Sequence, residues 1–251
     1  MYLVHMRPEQ IQDAVRRNVP VLMAAGVVEY HGPHLPVGTD FLIANEVCGR
    51  VEKRCECVVA PPLPLGPTLS WAAGAEEGEI DFEPEAFFVY VRQVLKHIAA
   101  MGFKRIYVLQ HHQGPEGLQV LCLKRAAMEL VRDTVREWGE GWGRWPEGER
   151  PIPGIFKWVQ LGFIDSFSDY PDSDAERVPV GHGGRGETQL MMAALPGSVR
   201  MEALDTLQEV PRWLEDATAA DAAAGERWIE FCVTGWVQEL SAGVTGSEKR
   251  Q

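Results

Sequence analysis

Apolar residues in this chain occur in two alternating textures. Short, mostly apolar runs at Pro20 to Val28, Val58 to Leu65, Lys104 to Leu109 and Ile155 to Phe163 have the length of strands buried on both faces. Between them, apolar residues recur every three or four positions, the spacing of an amphipathic helix. Pro8 to Val19 begins this way, with Ile11, Ala14 and Val15 on one face. Glu83-Pro84-Glu85 opens another helix, since proline is tolerated in a first turn and acids suit the positive end of the helix dipole. Its stripe is Phe87, Val91, Val94, Leu95 and Ile98, and Gly102 closes it. Further helices are expected from Phe41 to about Lys53, from Glu116 to about Trp138, from Thr188 to Ala194 and from about Asp216 to Leu240.

Strands and helices therefore alternate, which predicts a single α/β domain over residues 1–251. Residues 139–153, rich in Gly, Pro and Trp, are expected to form a long loop, with Trp138, Trp142 and Trp145 packing across the protein's own surface rather than serving as a lid. The acidic stretch from Asp165 to Glu176 reads as solvated loop, and residues 246–251 as a disordered polar tail. Thr68 to Asp81, with several glycines and Trp71, suits a surface loop able to approach a ligand.

Composition narrows the function. A chain of 251 residues with 45% hydrophobic and 24% charged residues can bury one large core. A formal charge of -12 argues against nucleic acid or an anionic membrane surface as partner and favours a small molecule. The longest apolar run, near Val19 to Val28, is about half a membrane span, and the first residues lack the pattern of a signal peptide. Five scattered cysteines do not form a disulfide framework, which points to a reducing cytoplasm. Cys55 and Cys57 sit at the start of an apolar run and are read as structural, one thiol pointing into the core.

The candidate chemistry gathers where predicted strands give way to loops, the edge at which open α/β sheets bind ligands. Glu29 and His31 leave the first strand two residues apart, and the turn formers Gly32, Pro33, Pro36 and Gly38 bend the chain back to deliver Asp40. His111 and His112 follow the third strand, and His182 and Glu187 flank a glycine-rich turn. Singly each has an ordinary role: Asp40 as a helix N-cap, His31 as a core histidine, Glu29 as a surface acid. Together they read as a metal site. Carboxylates and imidazoles without thiolate suit Zn²⁺, Mn²⁺ or Fe²⁺, and three carboxylates suffice for two ions, one of them bridging.

The segment Glu29-Tyr30-His31-Gly32-Pro33-His34-Leu35-Pro36-Val37-Gly38-Thr39-Asp40 resembles, without a gap, the first motif of the creatininase family. Gly102-Phe103-Lys104-Arg105-Ile106 is similar to that family's lead-in to an Asn-Gly-His-Gly-Gly-Asn turn, a register that places His112 on its metal-binding histidine. His182-Gly183-Gly184 followed by Glu187-Thr188 is similar to its third motif, and the resemblance spans about residues 15 to 200. It implies a mostly parallel central sheet flanked by helices, two divalent ions per subunit and a homo-oligomer, often a hexamer. It also implies that Glu29 and His112 hold one ion, His31 and Glu187 the other, and that Asp40 bridges them. His182 would sit beside the metals as a substrate-binding or proton-transfer group. The register of the third strand reads His111 as lining the substrate pocket or capping the turn, and Trp71 is read as a substrate-binding residue on its glycine-rich loop.

Two stretches depart from the family pattern. The second motif reads Gln110-His111-His112-Gln113-Gly114-Pro115, and Glu77-Gly78-Glu79 stands where the family has Pro-Gly-Thr. The resemblance therefore implies the chemistry and leaves the substrate open. The expected activity is hydrolysis of an amide-like C–N bond in a small, cyclic compound. The alternatives are hydrolytic C–C opening of a cyclic polyol ketone, or a small-molecule-binding protein without catalysis.

Overall fold

The structure is a computed structural model and describes residues 1–139, 141–146, 149, 154–170 and 181–245. Four parallel strands form its sheet: β1 (Val21–Ala25), β2 (Val58–Val59), β3 (Ile106–Gln110) and β4 (Val159–Phe163), in the order β2-β1-β3-β4. Ala25, Gln110 and Phe163 lie side by side, so the three longer strands end at one edge. Because β1 leads to β2 on one side while β3 lies on the other, the order reverses between β1 and β3. A crevice opens at that point in such sheets.

Alternation along the strands divides the core in two. Leu22, Ala24, Tyr107 and Leu109 face α2 (Thr39–Glu52), α6 (Arg185–Ala194) and α7 (Ala222–Thr245), where Ile43, Val47, Leu190, Val233 and Trp236 are buried. Val21, Met23, Ile106 and Val108 face the other layer, formed by α1 (Pro8–Arg16), α3 (Pro84–Ala100) and α4 (Leu118–Trp138). All five residues of β1 and of β3 are buried, as expected of strands covered on both faces.

Several boundaries differ from the sequence expectation. The run Val58 to Leu65 pairs as a strand only at Val58–Val59, because Pro61, Pro62 and Pro64 cannot donate to a ladder; Leu63 N–H still reaches Ala24 C=O at 2.8 Å. Ile155–Lys157 forms a 3-10 turn ahead of β4. The last helix is interrupted: Ala217–Ala219 is a separate turn, Ala220 is extended, and α7 starts at Ala222. Within the expected 139–153 loop, Gly141–Arg144 is a short helix, α5. The remainder at 140, 147–148 and 150–153, the acidic residues 171–176 and the 246–251 tail lie outside the described residues. Trp138 and Trp145 are partly exposed and neither lines the cavity described below. Cys57 is buried and Cys55 half-buried, and all five cysteines are free. Among the described residues no helix is long and apolar enough to cross a membrane.

Candidate metal centre

The loop between β1 and α2 is closed at its neck by Glu29 N–H donating to Val37 C=O at 2.8 Å. This contact turns the excursion over residues 26–38 into a hairpin-like return that brings Asp40 beside Glu29 and His31. A close approach of the two stems is built in at Gly26, where a Cβ would lie 2.4 Å from Phe41 N. The third motif is locked to the first by Gly183, whose φ of +64° suits glycine and whose Cβ would lie 2.6 Å from the His31 carbonyl oxygen.

Two helix starts differ from expectation in a way that matters here. Asp40 does not cap α2: Gly38 occupies the N-cap, and Asp40 lies inside the first turn. Helix α6 starts at Arg185, three residues earlier than Thr188, which places Glu187 in its first turn. Both acids thus sit at the positive ends of helix dipoles. Glu187 Oε2 also accepts the Gly183 N–H at 2.6 Å.

Asp40 lies between two histidines. His112 Nδ1 is 2.8 Å from Asp40 Oδ2 and 3.3 Å from Glu29 Oε2. His31 Nε2 is 3.3 Å from Asp40 Oδ1 and 3.5 Å from Glu187 Oε2. Each ring is oriented from behind by a backbone carbonyl: His31 Nδ1–H donates to Glu29 C=O at 2.9 Å, and His112 Nε2–H to Pro67 C=O at 3.1 Å. Such outer contacts fix which nitrogen of an imidazole faces a metal. Potential ligand atoms cluster as Glu29, Asp40 and His112, as His31, Asp40 and Glu187, and as Glu29, His31 and His182, each set within 4.8 Å.

The residues present fit divalent cations. Glu29 Oε1 and Oε2 and His31 Nε2 are buried without a hydrogen-bond partner, although buried polar atoms are normally paired. Burial opposes the charged form of His31, but Asp40 and Glu187 outweigh it and hold the ring up to about 10. His112 is likewise raised to about 10 against burial by Asp40 and Glu29. Asp40, despite its burial, is pushed below the usual carboxylate range by His31 and His112.

Glu29, Asp40, His111, His112, His182 and Glu187 line one cavity of about 460 Å³, and Trp71 forms part of its wall. His111 belongs to none of the ligand sets; its Nε2 lies 3.2 Å from Glu187 Oε1. His182 donates from Nε2 to Tyr30 C=O at 2.7 Å, leaving Nδ1 3.8 Å from Glu29 Oε2. Its ring is packed against His31, Trp71 and Trp213, with centroids 4.2, 4.6 and 4.9 Å away. Burial, reinforced by His31, lowers the pKa of His182.

Three further residues contribute that the sequence did not single out. Asp165 lines the cavity, half-buried, with Oδ2 accepting the Tyr170 hydroxyl at 2.6 Å; it is not merely a solvated loop acid. No lysine or arginine lines the cavity among the described residues. Trp213 closes over His182, and Glu79 is a buried carboxylate behind the centre. None carries a periodic signal, and Glu79 enters the sequence reading only as a departure from the Pro-Gly-Thr pattern.

Comparison with known proteins bears on the family and the fold. The creatinine amidohydrolase of Pseudomonas putida is 23% identical over 242 residues, 86% of each chain. The 3-dehydro-scyllo-inosose hydrolase of Thermotoga maritima is 26% identical over 112 residues, 45% of this chain and 36% of that one. A crystal structure of creatinine amidohydrolase (creatininase) superposes with a TM-score of 0.76 at 21% identity, covering 97% of both chains, so the α/β fold is shared. Residues 4–240 match the family model Creatininase, described as creatinine amidohydrolase, and the chain belongs to the creatininase family.

Proposed function

We propose that this protein is a metal-dependent hydrolase that cleaves an amide-like C–N bond in a small, cyclic substrate. Glu29, Asp40 and His112 would hold one divalent ion, and His31, Asp40 and Glu187 the other, with Zn²⁺, Mn²⁺ or Fe²⁺ suiting the oxygen and nitrogen donors. The observation that carries this reading is the pair of ligand sets sharing Asp40, whose members other than His31 line one cavity. When bound, two such ions supply an acidified water and polarise a carbonyl.

The remaining work falls to the chain's own side chains. His182 has its Nε2–H committed to the Tyr30 carbonyl, so Nδ1 is the nitrogen free to take a proton and return it to the leaving group. Its lowered pKa keeps it neutral, as a proton acceptor must be. His111, beside Glu187, lines the cavity where substrate would sit, and Trp71 packs against one side of His182. The cavity volume of about 460 Å³ fits a small molecule. We also read the protein as a cytoplasmic homo-oligomer, which the free cysteines and the exposed apolar Tyr90, Leu121 and Met128 support.

A second reading, hydrolytic C–C opening of a cyclic polyol ketone, is favoured by the likeness to the inosose hydrolase. The test is to incubate the zinc- and manganese-loaded protein with a panel of cyclic amides and cyclic polyol ketones and follow water addition by mass spectrometry. Turnover of cyclic amides alone supports the first reading, and turnover of ketones alone replaces it with the second. Failure to bind either metal overturns both.

A further inference from the structure

Behind the cavity, residues 79–82 are laced between the two loops that orient the site histidines. Ile80 N–H donates to Val28 C=O at 3.0 Å on one side, and Phe82 N–H to Gly66 C=O at 3.3 Å on the other. Asp81 Oδ1 accepts the Thr68 N–H at 2.9 Å. Glu79, only 5% exposed, joins both loops with its own carboxylate: Oε1 accepts the Thr68 hydroxyl at 2.6 Å and Oε2 lies 3.4 Å from the Tyr30 N–H.

The groups reached through those two loops are the ones that matter. Tyr30 presents to His182 the carbonyl that fixes its Nε2–H, and Pro67, next to Thr68, presents the carbonyl that holds His112. Thr68 C=O further accepts the Gln113 side-chain amide at 3.3 Å. Immediately after Thr68, Leu69 and Ser70 have φ of +77° and +45°, a strained conformation for residues with a Cβ that persists only where neighbours impose it. That turn carries Trp71 onto His182.

We propose that Glu79 is a positioning residue: it ties the Tyr30 backbone N–H to the Thr68 hydroxyl and thereby sets the ring orientation of His182 and His112. This inference rests on reading the cluster as a metal centre only for its effect on metal affinity. Its effect on the His182 ring is independent of that reading. Nothing in the resemblance assigns Glu79 a role, since it stands where the family pattern has threonine.

The test compares Glu79→Ala and Glu79→Gln with the parent protein. Gln can still accept from Tyr30 N–H and donate to the Thr68 hydroxyl oxygen, so it keeps the tie without the charge, whereas Ala loses both contacts. Imidazole ¹⁵N spectra of the metal-free protein should show His182 as a single Nε2–H tautomer in the parent and in Glu79→Gln, and as a mixture in Glu79→Ala. The Zn²⁺ dissociation constant should rise about tenfold or more for Glu79→Ala, the usual loss when an outer-sphere contact is removed, and much less for Glu79→Gln. If Glu79→Ala does not fold, Thr68→Val, which removes the hydroxyl that donates to Glu79 and accepts the Ser70 N–H at 3.3 Å, is read by the same spectra and titration. A folded Glu79→Ala or Thr68→Val with an unchanged His182 tautomer overturns the proposal. A parent protein that binds no Zn²⁺ overturns the metal reading but leaves the tautomer measurement to decide on Glu79.

Discussion

Asp40 Oδ2 lies 2.8 Å from His112 Nδ1, and the other oxygen of the same carboxylate lies 3.3 Å from His31 Nε2. A carboxylate placed this way can serve two cations at once. Because Gly38 rather than Asp40 caps α2, Asp40→Asn leaves the cap intact; beyond its contacts with His31 and His112 it removes a first-turn charge worth about 0.3–1 kcal/mol. The fold should therefore survive. Bound metal per subunit should fall by at least one ion and turnover should collapse, as measured by elemental analysis beside an activity assay. Two ions with near-normal turnover would rule out the bridge.

The adjacent histidines should separate cleanly. His112 shares ligand geometry with Glu29 and Asp40, whereas His111 belongs to no ligand set and lies 3.2 Å from Glu187. His112→Ala should therefore lose metal, and His111→Ala should keep it while weakening substrate binding. The reverse result would show that the second motif had been aligned one residue out of place.

Much of this centre was legible because strand ends in a parallel sheet are themselves legible. An apolar run followed by turn formers marks where a side chain reaches the edge, and Glu29, His31 and His112 are placed that way. What was not legible depends on partners distant in the chain. The true start of α6 was missed because His182-Gly183-Gly184-Arg185-Gly186 contains no capping side chain; the acceptor for Arg185 N–H is Asp216 Oδ1, 31 residues away, at 2.9 Å. Glu79 and Trp213 likewise owe their places to loops folded back from elsewhere. Asp165 was masked by the acidic residues after it, which made one cavity-facing carboxylate look like part of a solvated run.

Asp165 gives a prediction about recognition rather than catalysis. It is anchored by Tyr170 and contacts none of the candidate ligands, and no lysine or arginine shares the cavity wall among the described residues. The carboxylate is therefore available to a hydrogen-bond donor on the substrate. Asp165→Asn should leave metal content and kcat nearly unchanged and raise KM about tenfold or more, the worth of one hydrogen bond to a charged group. Measured kcat and KM on the best substrate from the panel decide the point; a fall in kcat at constant KM would place Asp165 in the chemistry instead.

His34 offers a test in which protonation acts on the fold. The ring is buried, its Nε2–H donates to Thr188 Oγ1 at 2.9 Å, and Thr188 in turn donates to Gly183 C=O at 3.1 Å. Nδ1 has no partner, so a proton there would be buried and unpaired. Burial accordingly lowers the ring from 6.5 to about 4. When the folded pKa lies below the unfolded one, the unfolded chain takes up the proton first and acid favours unfolding. The stability that neutral His34 protects is intact above 6.5 and is lost as the pH falls towards about 4. In His34→Gln this contribution is absent, while the carboxylates that titrate elsewhere remain. Urea midpoints of parent and variant, measured in chelator so that metal release does not contribute, should therefore converge as the pH is lowered from about 7 to about 5. A difference that stays constant over that interval would mean that His34 is not held neutral by its burial.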